Sequence, residues 1–107
     1  MSEKDGGTPP RMEILIVAPK FPLGQVVGTP GALGALERTG ESEVDFLARH
    51  ASADWGELDE EDKAANDYDL ENGGRLLSAY RLNDGSKLWI ITEFDRSYTT
   101  LLLPQEY

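Results

Sequence analysis

The 107-residue chain contains no cysteine and a single histidine. Without cysteine there is no disulfide, no thiolate metal site and no cysteine nucleophile, a usage that fits a reducing compartment. One histidine falls short of a typical zinc site, and neither H-E-x-x-H nor EF-hand spacing occurs. Long apolar runs are missing as well: the longest is Ile14 to Ala18, against about 20 residues for a membrane-spanning helix. The opening M-S-E-K-D-G-G-T-P-P has no basic stretch leading into an apolar one, so no secretory signal is expected. There is no G-x-S-x-G, and Ser78 falls mid-strand rather than on a strand-to-helix elbow. G-Q-V-V-G-T-P-G lacks the lysine and spacing of a phosphate loop. These absences predict a cytoplasmic protein with no membrane partner, no cofactor and no metal, and they lean against an enzyme.

Positive charge is scarce. Ten Lys and Arg face twenty Asp and Glu, for a net charge of −10. The segment Glu41–Glu71 holds twelve acids and two bases, Arg49 and Lys63, so it carries the whole net charge and the rest of the chain sums to zero. A field of this sign repels nucleic acid and draws in basic surfaces. The plainer reading is a solvated helix face that keeps the protein soluble.

The length fits one domain, large enough to bury one real core. Residues 1–11, polar with Gly-Gly and Pro-Pro, read as a disordered tail ahead of a single domain over 12–107. Met12–Ala18 and Gln25–Val27 read as two short N-terminal strands. Three helices are expected next. Thr29-Pro30 starts the first and Gly40 ends it. Ser42 starts the second, with an apolar stripe of Val44, Leu47, Ala48 and Ala51, and with Phe46 and His50 on its flank. Asp59 starts the third, which runs to about Asn72 with Ala64, Ala65, Tyr68 and Leu70 as its apolar side chains. The period then changes. R-L-L-S-A-Y-R-L over 75–82 alternates, placing Leu76, Ser78, Tyr80 and Leu82 on one face. Asn83-Asp84-Gly85 turns it into Lys87–Glu93, and Phe94-Asp95-Arg96-Ser97 turns that into Tyr98–Leu103. The expected architecture is α+β: two short strands, three helices, then a three-stranded antiparallel meander.

The polar rarities gather in H-A-S-A-D-W-G-E-L-D-E-E-D-K-A-A-N, residues 50–66. His50 near Asp54, Glu57, Asp59 and Asp62 has the composition of a divalent-metal or acid–base site. The structural alternative is that His50 closes its helix, where a cation suits the negative end. Asp54-Trp55-Gly56 reads as a turn, with Trp55 either an anchor between helices and sheet or an interface aromatic. Asn66, a poor helix former, needs partners if it is buried. Arg75, Arg81, Lys87 and Arg96 lie among Tyr80, Trp89 and Tyr98 on the meander, a pattern that single-stranded nucleic acid can use. Acids stand among them, so internal pairing is expected instead, including a turn ion pair Asp95–Arg96, with no direct nucleic-acid binding.

His50, Asp54, Trp55, Gly56, Asp62, Asn66, Arg75, Ser78, Tyr80, Trp89, Thr92, Asp95, Arg96, Thr99 and Tyr107 give residues 21–107 a resemblance to a family of small bacterial proteins carried on plasmids and other mobile elements. The position before Asp54, usually Gly in that pattern, is Ala53 here. The resemblance implies a mobile-element context and brings no reaction with it. Three functions follow. The first is an interaction protein whose acids, with Asp54, Trp55, Glu57, Asp59, Glu60, Glu61 and Asp62 as the partner-binding set, occupy a basic protein surface. A host restriction or CRISPR complex is one such target. The second is an accessory scaffold whose marked residues are structural. The third is a small metal-dependent hydrolase or nuclease using His50 and Asp54. Oligomeric state is left open.

Overall fold

The computed structural model describes residues 18–107, so the expected tail and nearly all of the expected strand Met12–Ala18 lie outside the described residues. Local capping chemistry sets the three helices. Thr29 caps α1 (Pro30–Thr39), its Oγ1 accepting from the Ala32 amide at 3.0 Å, and Gly40 ends the helix in the left-handed region at φ 71°. Ser42 caps α2 (Glu43–Ala51) by accepting from the Val44 amide. Asp59 caps α3 (Glu60–Asn72), accepting from the Asp62 amide at 2.8 Å. The end of α2 repeats the device of α1 without a glycine. The Ala53 and Asp54 amides donate to the carbonyls of His50 and Arg49 at 3.0 and 2.9 Å, and Ala53 takes the left-handed turn at φ 65°.

The sheet departs from the expected plan. β2 (Leu76–Arg81), β3 (Lys87–Thr92) and β4 (Tyr98–Leu102) pair antiparallel in chain order, but they are not a separate three-stranded meander. β1 (Gln25–Gly28) lies parallel to β4, Gln25 beside Tyr98 and Gly28 beside Leu101, making one four-stranded mixed sheet in the order β1-β4-β3-β2. The reason is an open edge: β4 alone would present unpaired amides and carbonyls, which β1 takes up. Val26 and Val27 stay 39% and 38% exposed, so β1 is held by backbone pairing more than by an apolar face.

One sheet face packs on α1 and α2. Tyr80, Leu88, Ile90 and Leu101 meet Ala32, Ala35, Leu36, Phe46 and Leu47 there. α2 is rotated relative to its expected stripe: Phe46, Leu47, His50 and Ala51 are the buried residues, so Phe46 and His50 are core rather than flank. A polar ring can go under the sheet because partners wait for it there, as described below.

The outer edge of β2 is closed by two short devices. The Ala79 amide donates to the Trp55 carbonyl at 3.1 Å and the Glu57 amide to the Ala79 carbonyl at 2.6 Å. One step along, the Asn66 side chain donates to the Leu77 carbonyl at 2.7 Å and accepts from the Leu77 amide at 3.2 Å. Gly56 makes the first device possible: its φ is 77°, and a Cβ there would overlap the Ala79 carbonyl oxygen. Asn66 is the one buried side chain of α3, so the expected apolar side of Ala64, Ala65 and Tyr68 is not how the helix attaches. Those three are exposed, Tyr68 at 66%. Polar anchors replace them. Asp67 accepts from the Trp55 indole at 2.9 Å. Arg96 donates to the carbonyls of Asp69 and Gly74. Leu70 adds a partly buried contact with the cluster of Phe21, Trp55 and Leu76.

Arg96 reaches those carbonyls from a left-handed backbone, φ 61°. The expected Asp95–Arg96 ion pair is absent; Asp95 accepts instead from the amide and hydroxyl of Ser97 at 3.0 and 2.6 Å, as Asp84 does from Ser86 in the preceding turn.

A left-handed alanine is strained relative to glycine by roughly 1–2 kcal/mol, partly offset by the greater freedom of glycine in the unfolded chain. Ala53→Gly should therefore raise stability by about 0.5–1 kcal/mol, read as a higher urea midpoint. A lower midpoint would contradict the strain.

Candidate functional site

His50 lies in the core with no exposed surface, and both ring nitrogens are engaged. Nδ1 is 2.6 Å from Ser78 Oγ and Nε2 is 2.9 Å from Thr92 Oγ1. Thr92 Oγ1 is 2.7 Å from Thr99 Oγ1, and Thr99 donates to the Leu23 carbonyl at 2.6 Å. Each hydroxyl has one proton to give. Thr99 spends its own on Leu23, so Thr92 must donate to Thr99. Thr92 can then only accept from His50, which puts the ring proton on Nε2. Nδ1 is left as an acceptor and Ser78 donates to it. A directed chain results, from Ser78 through His50, Thr92 and Thr99 to the backbone ahead of β1. Phe21 and Trp55 close over the ring edge-on at 5.2 and 5.7 Å.

Burial, helped by the nearby Arg96 guanidinium, holds the His50 pKa down at about 3, so the ring is neutral. It is therefore not the helix-closing cation that its position suggested. A serine, a histidine and two threonines in series have the look of a proton relay, yet Ser78, Thr92 and Thr99 are as fully buried as the ring. No substrate atom can reach them without opening the core. The signal for this cluster stood in the sequence: Ser78 alternates with Leu76, Tyr80 and Leu82, a polar residue at a core position. Thr92 and Thr99 carried no such signal, because threonine is an ordinary strand residue.

Asp54 is not brought to His50. Its Oδ2 accepts from Arg49 Nε at 2.7 Å and its Oδ1 from the Gly56 amide at 3.2 Å. The Arg49 hydrogen bond holds its carboxyl below the usual range, while the Tyr80 hydroxyl donates to the Asp54 carbonyl at 2.6 Å. With His50 closed in the core, Asp54 paired with Arg49 and Asp62 exposed in the first turn of α3, the expected metal or acid–base grouping of these residues does not form. No group of three or more His, Asp or Glu is placed to hold a metal among the described residues.

The residues expected to bind a partner divide in two. Trp55 is 4% exposed and belongs to the core, stacked 6.2 Å from Phe21. It is corrected from surface to scaffold, because its indole is needed both under the sheet and by Asp67. Asp54 is paired with Arg49, Glu57 with Arg81 at 3.1 Å and Lys87 at 4.0 Å, and Asp59 caps α3. Glu60, Glu61 and Asp62 remain on the surface in the first turn of α3, Glu60 only 3.8 Å from Lys63 and with a side chain 94% exposed. No helix of the described residues is long and apolar enough to cross a membrane.

Comparison of the chain with protein-family models, with curated proteins and with solved structures gives no match.

The neutral His50 ring has a pH consequence. Its pKa is about 3 in the fold and about 6.5 when unfolded. Below 6.5 the unfolded state binds the proton and the folded state does not. The stability it contributes is complete above pH 6.5 and is lost as pH falls toward 3, by up to about 1.4 kcal/mol per unit. Urea unfolding should give a stability about 2 kcal/mol lower at pH 5 than at pH 7. His50 is the only histidine, and ordinary carboxylates titrate below that window. A flat profile there would contradict a buried neutral ring.

Proposed function

We propose that this protein works by binding rather than catalysis, and that α3 presents an acidic face to a basic protein surface of the kind that otherwise holds nucleic acid. The observation that carries this reading is how α3 is mounted. Helices in small domains usually attach through an apolar stripe. This one attaches through Asn66, Asp67 and the Asp69 carbonyl, which leaves Glu60, Glu61, Asp62, Tyr68 and Glu71 turned to water. Glu60, Glu61 and Asp62 are the contact acids; Asp54, Glu57 and Asp59 add to the field while holding the lead-in turn. Such a field speeds encounter with a basic partner and is weakened by salt. An inhibitor of a host restriction or CRISPR complex, encoded on a mobile element, is the finer form of this proposal, and it rests on the family resemblance.

A second reading is favoured by one observation. Seven of the fifteen residues that mark the resemblance, His50, Trp55, Asn66, Ser78, Tyr80, Thr92 and Thr99, are buried, with their polar atoms bonded inside the fold. That is the pattern of an accessory scaffold whose marked residues only hold the fold.

The two readings separate on a triple reversal, Glu60→Lys, Glu61→Lys and Asp62→Lys. These side chains are exposed, and the Asp62 amide keeps its cap, so the fold should survive; each lost first-turn acid costs about 0.3–1 kcal/mol. Immobilised protein should retain a basic nucleic-acid-binding protein from bacterial lysate, releasing it in high salt or on adding duplex DNA, and the folded variant should retain none. Equal retention by the variant would remove the acidic-face reading.

A further inference from the structure

The sheet face turned away from α1 and α2 carries a pocket of about 300 Å³, lined by Arg75, Leu77, Trp89, Ile91 and Tyr107. The strand register builds its floor: Leu77 lies opposite Ile91, and Trp89 follows two residues back along β3 on the same face. Tyr107 folds onto this floor. Its ring meets the Trp89 ring edge-on at 5.6 Å, and its hydroxyl accepts from Arg75 Nη1 at 2.8 Å. The Arg75 guanidinium carbon sits 5.3 Å from the Tyr107 ring centre. Arginine and tyrosine therefore form two sides of an apolar slot whose third side is an indole.

Two features define what fits. The walls are aromatic faces and edges over branched aliphatic side chains, which suits a flat ring; the volume, at the low end for ligand sites, suits one or two fused rings. Among the described residues, the one charged side chain that lines the slot is a cation, Arg75. Arg75 spends one donor on Tyr107, and its Nε lies 3.8 Å from Glu93, with both side chains half-exposed. The rest of its planar fork is oriented by the Tyr107 bond, and a guanidinium fork matches a carboxylate.

We propose that this slot binds a small planar aromatic carboxylate, its ring over Leu77 and Ile91 and against the Trp89 and Tyr107 rings, its carboxylate on Arg75. The site is separate from the acidic face of α3 and does not depend on it.

The test uses the full chain with indole-3-carboxylate and its neutral analogue indole-3-carboxamide as probes, followed by amide and indole N–H shifts in NMR. Saturable shifts confined to the slot are expected for the acid, with the amide about tenfold or more weaker, since a hydrogen bond to a charged group is being lost. Arg75→Gln should bring acid and amide to the same weak affinity. Arg75→Lys keeps the charge without the fork and should also weaken the acid. Equal binding of acid and amide by the unmodified protein, or no saturable shift, would overturn the proposal. So would sedimentation showing that a second copy of the chain covers this face.

Discussion

His50 accepts a hydrogen bond from Ser78 at Nδ1 and donates one to Thr92 at Nε2, and those two contacts tie α2 to β2 and to β3 at once. Thr99 extends the tie to β4, and the Leu23 carbonyl extends it to the segment that enters β1. Three of the four strands, and the segment that leads into the fourth, are reached by a single chain of directed hydrogen bonds. Such a chain specifies more than it stabilises. Each bond contributes about 1 kcal/mol net, but an unpaired buried partner costs about 1–3 kcal/mol. A one-residue slip of β3 or β4 would turn Thr92 or Thr99 to the outer face and strand the ring. Register in this sheet is therefore set by polar residues inside the core as well as by its apolar pattern.

The second dependence is the edge of β2. An uncovered edge strand invites pairing with other chains. Here the backbone of Trp55–Glu57 covers Ala79 and the Asn66 amide group covers Leu77. Because Asn66 belongs to α3, covering the edge also mounts the helix. Because the mount is polar and narrow, the helix keeps its acids and Tyr68 in water. The sequence feature that joins helix to strand thus also exposes the surface proposed to act.

Capping residues, the two hairpin turns and the alternation of 75–82 were legible in the sequence, because each is a local effect with a local signature. Thr29, Gly40, Asp59 and Gly85 stand where the backbone needs them. Three things were not legible, each for a physical reason. The parallel place of β1 beside β4 is fixed by backbone bonds between residues more than seventy apart, and Val26 and Val27 bury too little to advertise it. The rotation of α2 hinges on whether His50 has partners, and these come from strands that follow it in the chain. The role of Arg96 requires a left-handed arginine, which a propensity reading does not anticipate. In the candidate site, Glu60, Glu61 and Asp62 were legible as surface acids. Trp55 was not legible as core, because a tryptophan beside a turn serves either role until its neighbours are placed.

A neutral His50 with its proton on Nε2 is what the hydrogen-bond chain, and with it the sheet register, requires. Long-range ¹H–¹⁵N correlation spectra of the imidazole at pH 7 report that state directly, since protonated and bare ring nitrogens resonate far apart. A protonated Nε2 and a bare, hydrogen-bonded Nδ1 are expected, unchanged when the pH is lowered to 5. An imidazolium, a proton on Nδ1, or rapid averaging of the two nitrogens would contradict that requirement.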